Sequence, residues 1–123
     1  MSKGTSFFTY RGWHSKEVDF EAGGALSTPR IDFTGYATGI IHMPTTWTSA
    51  SIGFKVSSTA DSTVHALYDS TPTLAQIASP ATGKAYQFPT AVTGAGYIQL
   101  WSQNTYGSDA TQSARTVVVD LKG

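Results

Sequence analysis

Between Ile40 and Val56 the chain reads IIHMPTTWTSASIGFKV: a short apolar run, a turn opened by Pro44 and anchored by Trp47, then strict alternation. Any fold that contains this stretch must bury one face of a sheet. Ile52, Phe54 and Val56 point one way and Ser51, Gly53 and Lys55 the other, the period of a strand that is dry on one side and wet on the other. No comparable helical period exists, because Gly, Pro, Ser and Thr interrupt every window long enough for a helix. Alternating stretches between turn signals predict strands at 30–33, 38–43, 51–56, 64–68, 74–77, 85–88, 97–102 and 115–122. About eight antiparallel strands at this spacing predict an all-β fold, a single β-sandwich or jelly roll. In the last strand Val117, Val119 and Leu121 share the inward face, and Ile98 and Leu100 are expected to meet them in the core.

The first 29 residues read differently. Phe7, Phe8, Tyr10, Trp13 and Phe20 crowd among polar residues without clean alternation, and Gly23 and Gly24 then break the chain. Free tails are poor in aromatic residues, so this stretch is expected to be an extended arm ordered by packing, on its own sandwich or on a neighbouring molecule. The expected division is an N-terminal arm over 1–29 and a β-sandwich domain over 30–123. At 123 residues the chain is one domain's length, enough to bury roughly two thirds of its unfolded surface.

Charge narrows the function. Only 13% of residues are charged, and eight basic side chains balance eight acidic ones, so no strong positive field exists to hold a phosphate backbone or an anionic membrane. Nucleic acid and membrane are therefore not expected partners. No run approaches the roughly 20 apolar residues that span a bilayer, and the first residues lack the apolar core of an export signal. With no cysteine there is neither a disulfide framework nor a thiolate metal site.

Nor does any motif point to catalysis, metal or a cofactor. His14, His42 and His65 stand apart, without the spacing that sets two imidazoles on one ion. No nucleophile elbow appears among the serines. Asp61, Asp69 and Asp109 lie in turn-like contexts, where a carboxylate accepts backbone N–H groups. The GAGY at 94–97 leads into a strand, so it reads as a tight turn and not as a phosphate loop. Outward-facing Tyr97 and Trp101 could form a flat platform for a sugar or a protein, unless the arm covers them. Trp47 is expected to pin the Pro44 turn to the core.

The segments LSTPRIDFTGYATGIIHMPTTWTSASIGFKVSSTADSTVHALYD and YIQLWSQNTYGSDATQSARTVVVDL resemble small structural proteins encoded in the morphogenesis regions of tailed bacteriophages and prophages. The strongest points are Met43-Pro44, Trp47-Thr48, Ala50-Ser51, Phe54, Leu67-Tyr68-Asp69, and Gln112, Ala114 and Arg115. Gln99 and Trp101 stand where such proteins usually carry arginine. The resemblance implies a non-enzymatic virion component, assembled in the host cytoplasm and placed on the capsid surface or tail. Its first expected role is a capsid decoration or cement protein, whose arm, with Phe7, Phe8, Tyr10 and Trp13, binds the major capsid protein or other copies of the chain. The alternatives are a head-to-tail or tail-associated protein, and a carbohydrate-binding module using Tyr97 and Trp101.

Overall fold

Alternation is converted directly into two packed sheets. The structure, a computed structural model, describes residues 6–10, 12–21 and 26–123, with side chains at 12–21 and 26–123. Among these residues ten strands form two antiparallel sheets. The first runs in the order β1 (Ser6–Tyr10), β2 (Trp13–Phe20), β10 (Arg115–Lys122), β4 (Thr38–His42), β8 (Ala85–Gln87). In the second, β3 (Ile31–Asp32) pairs with β9 (Tyr97–Gln103) and β9 with β5 (Ser51–Ser57). Along the far edge of β5 lie β7 (Gln76–Ile77) and β6 (His65–Ala66) in turn.

The inward residues of both sheets make one core. Val117, Val119 and Leu121 from β10 join Ile98 and Leu100 from β9, Ile52 and Phe54 from β5, and Ile41 from β4. Phe54 and Phe88 meet edge-on at 5.1 Å between centroids, the favoured geometry for an aromatic pair, and tie the β5 side of one sheet to the β8 side of the other. The expected β-sandwich is the fold, with the strand positions of the sequence reading recovered to within a few residues at each end.

The arm divides from the sandwich elsewhere than at residue 29. β2, within the stretch assigned to the arm, pairs with β10 along its whole length, from Phe20 opposite Arg115 to Trp13 opposite Lys122. Val18 and Phe20 are core residues, Phe20 being fully buried. Their alternation is hard to see because His14 and Lys16 hold the other positions on that face, where the sandwich opens into a cleft. Residues 26–28 also belong to the fold: Thr28 N–H donates to Leu100 O and Ser102 N–H to Leu26 O, extending the second sheet beside β9.

Candidate functional site

Three places could present chemistry: the β1 edge, the outer face of β9, and loops 68–74 and 104–109. At the first, Phe8 lies opposite Ser15 and Tyr10 opposite Trp13; the side chains of Phe7, Phe8 and Tyr10 lie outside the described residues. Trp13 is half-buried. Among the described residues, strand β1 pairs on one side, with β2, and ends the sheet.

The outer face of β9 is less open than alternation implied. Tyr97 and Trp101 do face outward and are half-buried. However, the Lys55 ammonium sits 3.6 Å from the Trp101 ring centroid, so one face of the indole is already occupied by a cation. Trp101 Nε1–H donates to Gln99 Oε1 at 3.0 Å, and Gln99 Nε2–H donates to Thr28 O at 2.8 Å. The two residues standing where arginine was expected thus brace each other and hold the 26–28 segment. Farther along, Ser51 and Gly53 are buried although they alternate outward. Gln103 covers Gly53: its carboxamide lies where any Cβ would overlap it, and accepts from Gln76 Nε2–H at 2.9 Å; Ser51 Oγ accepts from Ser79 N–H at 3.1 Å. The sheet face is wet only towards Lys55.

Five of the residues that carry the phage resemblance, Trp47, Thr48, Ala50, Gln112 and Arg115, form one structural lock. Gln112, 3% exposed, accepts from Thr48 N–H at 2.9 Å and donates to Thr48 O at 2.8 Å, as a neighbouring strand would. Arg115 donates to Gln112 Oε1, Thr46 Oγ1 and Thr48 Oγ1. Trp47 donates to Ala50 O and packs edge-on against Phe20 at 5.2 Å, as its pinning role requires. Backbone polar groups of an irregular loop that are partly shielded from water, as those of Thr48 are, need such partners.

Titratable groups are scattered. His42 Nε2 lies 2.7 Å from Asp120 Oδ2 on the outer face of the first sheet. His14 lines a cleft of about 360 Å³ with Lys16, Asp32, Thr34, Tyr36 and Leu121; there the Thr34 N–H, its hydroxyl and the charge of Lys16 hold the Asp32 carboxyl below its ordinary pKa. His65 lines a separate, hydroxyl-rich cleft with Ser57, Ser62 and Gly94. No group of three metal-ligating side chains occurs among the described residues, and no helix among them is long and apolar enough to cross a membrane.

Two of the three expected aspartate turns are closed by other residues. Asp69 behaves as expected: its Oδ1 accepts from Thr71 N–H, Thr71 Oγ1 and Thr73 N–H. At 59–62 the accepting oxygen is Thr59 Oγ1, and at 104–108 it is Asn104 Oδ1, which takes Tyr106 N–H and Ser108 N–H. Gly94, at φ 96°, makes the tight turn expected at 94–97, since that φ suits a residue without Cβ.

The large hydrophobics left exposed among the described residues are Tyr68, 53% exposed, and Tyr106, 89% exposed. Sequence reading places Tyr68 at the end of a strand and within the resemblance, without a surface role, and does not single out Tyr106. The available signal was their setting: each is flanked by Asx-type turn formers, which hold a ring out instead of letting it fold back.

No family model matches the sequence, and no curated protein matches it. Among solved structures, the fold is similar to the crystal structure of the SPBc2 prophage-derived protein YomS. The TM-score is 0.54 at 13% sequence identity, covering 94% of this chain and 99% of that one. At that identity the likeness is one of fold, a two-sheet sandwich matched nearly end to end.

Proposed function

We propose that the chain is a non-enzymatic structural protein of a tailed-bacteriophage or prophage particle, a decoration or cement protein that binds the outer capsid surface and stabilises the head. The observation that carries this reading is the nearly end-to-end likeness of fold to a prophage-derived protein. It is supported by the separate sequence resemblance, whose Gln112–Thr48 and Arg115 contacts maintain the sandwich. Strand order supports the jelly-roll form of that sandwich: β2, β10, β4 and β8 make one sheet and β3, β9, β5 and the β6 and β7 pair the other.

Attachment is assigned to β1. Its sequence, SFFTY, carries neither charge nor proline, two of the devices that keep an edge strand from pairing with another chain, and beyond the register shift between Ser6 and Phe8 the residues Phe8 to Tyr10 run in regular pairing with β2. The major capsid protein or a second copy of this chain could extend the sheet there, with backbone hydrogen bonds supplying affinity and aromatic residues supplying fit. The test is to add purified protein to capsids that lack it and measure retention. A variant without residues 2–10 keeps β2; it should fold and fail to bind. Equal retention of that variant would remove the role from β1, and no retention of the full chain would count against decoration.

A further inference from the structure

The geometry points to a second binding surface, made by loops 68–74 and 104–109, that takes a neutral saccharide. Tyr68 pairs with Leu74 across an isolated bridge, and the Leu74 side chain abuts Gly107, next to Tyr106. Gln76 Nε2–H donates to Asn104 O at 2.9 Å. The two exposed rings therefore stand on joined loops. Each loop is locked by a side-chain oxygen, Asp69 in one and Asn104 in the other, so little order remains to be gained on binding, which favours affinity for a small ligand.

The chemistry on offer is that of a sugar site. Two tyrosine faces can stack on the C–H face of a pyranose. Beside Tyr68, Thr71 O–H donates to Asp69 Oδ1 and Thr73 O–H to Thr71 Oγ1 at 2.9 Å, so these hydroxyls offer a ligand lone pairs, and the Asp69 carboxylate spends one oxygen on its own turn, leaving Oδ2 to accept ligand hydroxyls as well. Charge selects the class. Positions 68–83 and 103–114 contain Asp69 and Asp109 and no lysine or arginine, so anionic polymers are repelled and neutral sugars are not. A protein partner is less well matched, because an interface of ordinary size needs a desolvated apolar centre, and these rings are surrounded by hydroxyls.

Position also favours it. β3 lies beside β2, as their shared cleft shows, and β5 beside β8, so the loops beyond β5 are on the opposite side of the sandwich from β1. A molecule held by β1 would present them outward. Only this positional support rests on the particle reading, which copy number tests separately.

The experiment is a glycan array with the full chain, using neutral oligomers of glucose, galactose and their N-acetylated amines, followed by NMR titration of any sugar retained. Binding should shift resonances of 68–74 and 104–109 and weaken about tenfold or more in Tyr106→Ala and in Asp69→Asn. Tyr106 is 89% exposed, so its loss leaves the fold intact, which an unchanged melting temperature verifies. Four results would overturn the assignment: no glycan bound, binding indifferent to both substitutions, binding lost in Trp101→Ala alone, or the two loops responding only to purified capsid protein.

Discussion

Replacing Phe20 by alanine asks whether β2 is a strand of the sandwich or part of a detachable arm. The ring is fully buried and meets Trp47 edge-on at 5.2 Å. Truncating a buried phenylalanine costs about 3–5 kcal/mol through lost transfer energy and the cavity left behind. The Trp47 contact, about 0.5–1.5 kcal/mol for such pairs, lifts this site off the lower end of that range, to near 4 kcal/mol. Domains of this size are stable by about 5–15 kcal/mol, so about a quarter or more of the total is at stake. With a urea dependence of about 2 kcal/mol per M, the unfolding midpoint should fall by about 2 M. Equilibrium urea denaturation followed by tryptophan fluorescence measures this, since Trp47 reports on the same contact. A midpoint displaced by less than about 0.5 M would refute the placement of β2 in the core.

Gln112→Leu removes both partners of the Thr48 backbone and should cost about 2 kcal/mol, the penalty for stranding partly buried polar groups; chemical denaturation checks it, and an unchanged midpoint would contradict the lock. Gly53→Ala sets a methyl group where the Gln103 carboxamide lies and should destabilise by about 1–3 kcal/mol through overpacking, seen as a lower melting temperature. Lys55→Ala uncovers the Trp101 ring and should raise quenching by acrylamide; quenching equal to wild type would mean that the ammonium does not shield the indole. Asp69 is held below the ordinary 3.8 by the Thr71 hydroxyl, then by the Thr73 and Thr71 N–H groups. A carboxylate with a lowered folded pKa stabilises above the unfolded value and loses that contribution as pH falls through the folded one. NMR titration should therefore give a midpoint under 3.8, with loop 68–74 loosening only below it; a midpoint at or above 3.8 would contradict the turn.

Much of the sandwich is legible in the sequence because burial on one face writes a period of two. β10 shows this best, with Val117, Val119 and Leu121 buried between more exposed neighbours. β2 escapes because only Val18 and Phe20 of its inward residues are apolar, while its tryptophan lies at the first position, beside the turn. The signal lay in Val18 and Phe20 alternating with Glu17, Asp19 and Glu21. Burial of Gly53 was invisible for another reason: it depends on Gln103, fifty residues away, lying across the glycine. Turn chemistry was legible as a location and less so as a residue, since Thr59 and Asn104 supply oxygens that the neighbouring aspartates could equally have offered. The turn formers Asp69 and Asn104 mark the exposure of Tyr68 and Tyr106 locally, but that the two rings stand on one surface follows from how two distant loops abut, which no local pattern records.

Copy number on the particle tests the central proposal most directly. Quantitative mass spectrometry of purified particles from the source, referenced to the major capsid protein, gives it in one measurement. Decoration predicts a number comparable with that of the capsid protein. A handful to a few dozen copies would contradict a shell protein and place the chain at the head–tail junction or on the tail, and its absence from the particle would overturn the virion reading.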